Sequence, residues 1–213
     1  MTTMEWVNER KIIAIVRGLK TEYMLKLAEA LYAGGIDLME VTFNQKDPAS
    51  WKDTAAAIRA IGEHMEGKML AGAGTVITEE QLNLALEAGA KYIITPNTNP
   101  ELIRKVKAAG ACCFPGALTP TEIEIAYEAG ADAVKVFPAG QMGPAYIKAV
   151  KAPLSHIPLM AVGGVNEKNA ADFMAAGACG LGVGGNLVNK AWIEGGEWDK
   201  ITALAAEFRK AVD

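Results

Sequence analysis

Two charged residues sit where a folded chain seldom leaves charge. Lys135 lies within Ala133-Val134-Lys135-Val136-Phe137, and Glu40 within Leu38-Met39-Glu40-Val41-Thr42. Side chains alternate between the two faces of a strand, so each charged group points away from its immediate apolar neighbours. Burial penalises an ammonium and lowers its pKa, and a lysine that is partly neutral attacks carbonyl carbon. A carboxyl in apolar surroundings holds its proton to higher pH and exchanges it near neutrality. A nucleophilic amine beside a proton-exchanging acid is the pair needed to form an imine with a carbonyl compound and hydrolyse it. The competing readings are a Lys135 that snorkels to solvent at a strand end, and a Glu40 that serves only as counter-ion to Lys135 or Arg17.

Around this pair stand groups suited to holding an anionic substrate. Arg17, after Ile15-Val16, offers a guanidinium that grips a carboxylate in bidentate fashion; otherwise it is a surface arginine at a loop start. Thr75, in Gly72-Ala73-Gly74-Thr75-Val76, adds a hydroxyl beside glycines that let a ligand approach the backbone, unless the segment is a plain turn. Gly163-Gly164 and Gly184-Gly185-Asn186 follow apolar runs, where backbone N–H groups cradle phosphate or simply form tight turns. Asn44, Pro96 and Phe137 fall at comparable strand ends. His64 and His156 are isolated, no ligand spacing for a metal is present, and neither a Walker loop nor a Gly-x-Ser-x-Gly elbow occurs.

What must position these residues is legible from a repeat. Helical segments end in Ala-Gly, two to four residues follow, and an apolar run begins. This happens at Gly34-Gly35, Gly89, Gly110, Gly130 and Gly177, at intervals of about 20 residues or near multiples of that. Eight strands are expected, over residues 12–16, 38–42, 69–73, 92–95, 112–115, 133–137, 159–162 and 180–183. Amphipathic helical segments lie between them, including Tyr23 to Leu31 and Glu101 to Val106. Thr78-Glu79-Glu80-Gln81 and Thr119-Pro120-Thr121-Glu122 read as helix starts. Continuous apolar strands alternating with helices mean a buried parallel sheet, and eight such units mean a (β/α)8 TIM barrel with its site at the C-terminal strand ends. The alternative is an open doubly wound sheet.

Composition fits one domain spanning residues 1–213. Hydrophobic residues make up 51 % of the chain and charged residues 22 %, with a net charge of −4, which argues against a nucleic-acid surface. Three cysteines, two of them adjacent, suit free thiols in a reducing compartment. No apolar run approaches the ~20 residues of a membrane helix and the first residues do not form a secretion signal, so a cytoplasmic location is expected, without membrane association.

In this order the residues resemble the 2-keto-3-deoxy-6-phosphogluconate (KDPG) and 4-hydroxy-2-oxoglutarate aldolase family. The matching blocks are Ile12 to Arg17, Glu40-Val41-Thr42, Gly72 to Val76, Thr95-Pro96-Asn97, Phe114-Pro115-Gly116, Val134 to Ala139 and Val162 to Val165. The resemblance implies a class I aldolase that needs no metal or cofactor and is usually a homotrimer. It would cleave a 2-keto-3-deoxy-6-phospho sugar acid to pyruvate and glyceraldehyde 3-phosphate. It further implies Lys135 as Schiff-base lysine, Glu40 as general acid and base, and Arg17 and Thr75 as carboxylate ligands. Pro96 and Phe137 would be pocket walls, and Gly163, Gly164, Gly184 and Gly185 would face the phosphate. Two positions depart from the family's pattern: Asn44 stands where many members have arginine, and Asn186 where they often have serine. Asn44, Thr95-Pro96-Asn97 and Gly143-Pro144-Ala145-Tyr146-Ile147-Lys148 look closer to the 2-keto-3-deoxy-6-phosphogalactonate branch. Other readings are an aldolase for 4-hydroxy-2-oxoglutarate or an unphosphorylated 2-keto-3-deoxy acid, a barrel sugar-phosphate isomerase or epimerase, and a non-catalytic binder of such acids.

Overall fold

The computed structural model describes residues 1–213. Nine strands run parallel: β1 Ile12–Val16, β2 Leu38–Thr42, β3 Leu70–Gly74, β4 Tyr92–Ile94, β5 Cys112–Phe114, β6 Gly116–Ala117, β7 Val134–Val136, β8 Leu159–Val162 and β9 Gly180–Val183. Their order is β5-β4-β3-β2-β1-β9-β8-β7-β6. The two end strands, β5 and β6, are consecutive in the chain and separated only by Pro115, so they form one broken stave and the sheet closes into an eight-staved barrel. Proline lacks the N–H that would continue the ladder. Its carbonyl compensates by accepting from the Lys135 amide at 2.9 Å, while the Phe137 amide donates to Ala117 at 3.0 Å. The first half of the stave bonds β4 and the second half bonds β7. The single run expected over residues 112–115 is thus two, and the open doubly wound alternative is overturned by closure.

Helices alternate with the staves: α1 Thr3–Arg10, α2 Met24–Ala33, α3 Trp51–His64, α4 Glu79–Glu87, α5 Pro100–Ala108, α6 Pro120–Glu128, α7 Ala139–Met142, α8 Pro144–Lys151, α9 Ala170–Ala175, α10 Lys190–Glu194 and α11 Trp198–Val212. α4 and α6 begin in full capping boxes, Thr78 with Gln81 and Thr119 with Glu122, satisfying amides that the first helical turn leaves unpaired. The Ala-Gly repeat is the helix stop. Gly35, Gly89, Gly110, Gly130 and Gly177 all have φ between 79° and 107°, where a Cβ would be strained.

Two apolar layers result. Odd residues of β1 and even residues of β2 point inward, and Ile13, Leu38, Tyr92, Ile94, Phe114, Ala133, Met160 and Val162 fill the barrel. The opposite parity, including Ala14, Val16, Met39, Val41, Val134 and Val136, packs beneath the helices. Burying each large aliphatic side chain contributes roughly 1.5–3 kcal/mol. Helix α1, which the sequence reading did not anticipate, closes the N-terminal end of the barrel. Its Val7 is buried in the interior cluster, and its Arg10 pairs with the buried Asp37 at 3.0 Å. Its start is a Thr2–Glu5 capping box. No helix is long and apolar enough to cross a membrane.

Candidate active site

Lys135 and Glu40 both take the inward parity and stand above the aromatic and aliphatic filling. The backbone of Lys135 is fixed on both sides, opposite Gly116 on β6 and Met160 on β8. Glu40 is held between Ile15 on β1 and Gly72 on β3. Both are buried, Glu40 at 1 % and Lys135 at 6 % exposure. Space for the carboxyl comes from a missing side chain: a Cβ at Gly74 would lie 1.6 Å from Glu40 Oε1. Likewise a Cβ at Gly72 would lie 2.1 Å from the ring of Tyr92, the floor beneath.

Neither charged group is in a contact ion pair, and Glu40 Oε2 makes no hydrogen bond within the chain. Their protonation therefore follows burial first. Desolvation pushes the Glu40 carboxyl up from its ordinary value, against the pull of Lys135 and then Arg17. Desolvation pushes the Lys135 ammonium down; Glu40 opposes this and Arg17 adds to it. Neutral amine and protonated acid thus become accessible in one place. The Lys135 ammonium also sits 4.9 Å from the centroid of the Phe137 ring, which is 40 % exposed at the mouth.

One cavity of about 430 Å³ gathers Arg17, Glu40, Lys135, Phe137, Gly163, Gly164, Gly184, Gly185 and Asn186. Its remaining wall is apolar: Ile15, Val162, Val165 and Val188. The sequence reading did not single these out, although the inward parity of Ile15 and Val162 signals them. Thr75 and Asn44 lie in an adjoining cavity of about 300 Å³, whose shared residue is Arg17. Thr42, part of the block Glu40-Val41-Thr42, also lines it, as do Gln45 and Lys46, which were not singled out. Asn44 Oδ1 accepts from the Lys46 amide at 3.0 Å, forming a local turn, and its carbonyl accepts from Trp51 Nε1. Pro96 borders neither cavity. Its backbone packs against Gly116, where a Cβ would come within 2.5 Å.

The glycine loops after β8 and β9 form one unit. Gly163 and Gly164 have φ of 87° and 79°, and Gly163 O accepts from the Gly140 amide of α7 at 2.7 Å. Asn186 Nδ2 donates to Val165 O at 2.9 Å, tying the second loop to the first. Exposed backbone beside glycines at this end of a barrel is suited to an anion. No group of three or more His, Cys, Asp or Glu side chains is gathered at metal-holding distance.

The chain matches, over residues 4–204, the aldolase family described as KDPG and KHG aldolase. It is 38 % identical over 209 residues to the 2-dehydro-3-deoxy-6-phosphogalactonate aldolase of Escherichia coli K12, covering 98 % of this chain and 97 % of that protein. It is 34 % identical to the 2-dehydro-3-deoxy-phosphogluconate aldolase of Haemophilus influenzae, over 96 % and 93 % of the two chains. Among solved structures it resembles the KDPG aldolase of Legionella pneumophila, in which pyruvate is captured at low pH as a covalent carbinolamine. The TM-score is 0.86 at 28 % identity, over 96 % of this chain and 97 % of that one. A closed barrel with a buried lysine and acid at its C-terminal mouth, a family match over residues 4–204 and 38 % identity to one of its enzymes over 98 % of the chain make this chain a member of the KDPG and KHG aldolase family.

Proposed function

We propose that Lys135 is the imine-forming residue of a class I aldolase, with Glu40 as its proton carrier. The observation that carries this reading is the pair itself: two buried groups of opposite charge type, in one cavity, without a contact ion pair, and shifted in opposite directions by burial. Neutral Lys135 Nζ adds to the C2 carbonyl of a 2-keto acid, and the former carbonyl oxygen takes a proton to give a carbinolamine. Protonation of that hydroxyl by Glu40 releases water and leaves an iminium. Glu40, now a carboxylate, removes the proton from the C4 hydroxyl. The electrons of the C3–C4 bond move into the iminium, and an aldehyde departs. The pyruvate enamine is protonated at C3. Water adds to C2, and collapse releases pyruvate with Lys135 neutral again. Arg17 and Thr75 hold the C1 carboxylate, Phe137 covers the amine, and the loops at Gly163-Gly164 and Gly184-Gly185, braced by Asn186, take the distal phosphate.

The substrate class is a 2-keto-3-deoxy-6-phospho sugar acid, split to pyruvate and glyceraldehyde 3-phosphate. The phosphogalactonate type is favoured by the higher identity to that enzyme and by Asn44 in place of arginine. Borohydride reduction in the presence of pyruvate tests the chemistry: a reduced adduct on the Lys135 peptide is expected, and an adduct elsewhere, or none, sinks it. Pyruvate release over phosphorylated and unphosphorylated C4 epimers and 4-hydroxy-2-oxoglutarate tests the substrate. A best rate with an unphosphorylated acid removes the phosphate role of the glycine loops. We further take the chain to be one domain, assembled as a homotrimer and working in the cytoplasm, where its three free cysteines stay reduced. Sedimentation equilibrium should give about three times the 22.5 kDa chain mass.

A further inference from the structure

Thr75 is one of two non-glycine residues with a left-handed backbone, at φ 57°. That conformation is unfavourable for a β-branched residue and persists only where the surroundings impose it. The flanking backbone is tied on both sides: Gly74 O accepts from the Phe43 amide at 2.9 Å, and the Val76 amide donates to Ile94 O at 3.3 Å. Thr75 itself has one partner. Gln45 Nε2 donates to its carbonyl at 2.6 Å, whereas its own amide and hydroxyl are unpaired within the chain. Gln45 is set in turn by Gln81, whose Nε2 donates to Gln45 Oε1 at 2.8 Å. Gln81 has no exposure and cannot flip, because its Oε1 accepts from the Ile77 amide at 2.8 Å and from the Thr78 amide at 3.3 Å. The chain of donors and acceptors therefore has one direction, from the start of α4 outward to Thr75.

We infer that Gln45 is a positioning residue, oriented by Gln81, that holds Thr75 in its left-handed conformation and keeps two free donors beside Arg17 for the substrate carboxylate. This rests on the proposal that Thr75 and Arg17 bind that carboxylate. Gln45 touches no reacting atom, and its contribution lies in the binding of the keto acid and not in the bond-breaking step. A Gln45→Glu side chain has the same shape but cannot donate to the Thr75 carbonyl, and it brings a negative charge toward the anion.

The experiment is borohydride trapping as a function of pyruvate concentration, with melting temperature alongside. In Gln45→Met the pyruvate concentration for half-maximal trapping should rise roughly tenfold, the equivalent of one hydrogen bond. The maximal trapping rate should stay within about threefold, and the melting temperature should fall by a few degrees because the buried Gln81 Nε2 loses its acceptor, whereas Gln45→Glu keeps that acceptor and should melt as the wild type does. Gln45→Glu should raise the half-maximal concentration further. In a Thr75→Gly background, where glycine takes the left-handed conformation freely, adding Gln45→Met should have no further effect. An unchanged half-maximal concentration in Gln45→Met, a loss confined to the maximal rate, or an equal loss in the Thr75→Gly background overturns the inference. The wild-type arm separates the two proposals: no adduct on Lys135 removes the aldolase site as well, whereas a normal adduct with an indifferent Gln45→Met removes the positioning role alone.

Discussion

At the scale of the residue, the protein keeps two ionisable groups where neither is comfortable and connects them by field, not by contact. Replacing Lys135 with Met removes the nucleophile, and we expect aldol cleavage to fall by at least about 10⁴-fold with no borohydride adduct. Survival of cleavage in that variant means that Lys135 is not the nucleophile. Glu40→Gln keeps the shape and removes the proton carrier, for an expected loss of about 10²–10⁴ in kcat. It also makes a signed prediction. The Glu40 carboxylate favours the Lys135 ammonium, so its loss lets the lysine pKa fall further. Imine formation needs the neutral amine. The rising acid limb of imine formation against pH should therefore move to lower pH in Glu40→Gln, and a move to higher pH contradicts the assigned coupling.

At the scale of the element, the glycines of β3 are as specific as the charged residues. Gly74→Ala drives a methyl group into the space of Glu40 Oε1, and Gly72→Ala into the ring of Tyr92. Each should lower stability by about 1–3 kcal/mol, and Gly74→Ala should in addition cost activity out of proportion to the melting temperature. An active Gly74→Ala enzyme with normal pH dependence argues that Glu40 is not held where the chemistry needs it. The glycines were readable as a block, but their reason was not. Sequence shows that a backbone comes close to something there, and only the neighbouring stave shows that the something is a carboxyl. The broken fifth stave is similar: Phe114-Pro115-Gly116 is visible in the sequence, yet the consequence lies in β7, where Pro115 O and Gly116 set the height of Lys135.

At the scale of the molecule, stability and chemistry sit at opposite ends of one barrel. The N-terminal end is closed by α1, with Val7 buried among interior side chains, and the mouth at the other end carries the buried acid and amine. Val7→Ala should therefore cost roughly 1–3 kcal/mol in chemical denaturation while leaving kcat within error of wild type. A large change in kcat instead would mean that the interior filling transmits strain from floor to mouth.

The sequence by itself determined the repeat, the eight staves and the parity that sets Lys135 and Glu40 on the face opposite their apolar neighbours, while the structure decided that this face is the inner one. The repeat, the staves and the parity depend on neighbours close in the chain: left-handed glycine stops, period-two alternation, and capping boxes at Thr78 and Thr119. It also sufficed to bring Arg17 and the two glycine loops to one end. What only the tertiary structure decided depends on contacts between residues distant in sequence. Closure at Pro115 excludes the open sheet. Pro96 turns its backbone to Gly116, Asn44 spends its side chain on a local turn, and Thr75 meets the Lys135 cavity only through Arg17. Gln45, unremarked in the linear chain, and Gln81, read there only as part of a helix start, lie 36 positions apart and become a relay because β2 and β3 are neighbours in the barrel. A hydrogen bond between side chains that follow adjacent staves leaves no period in the sequence, so folding alone reveals it.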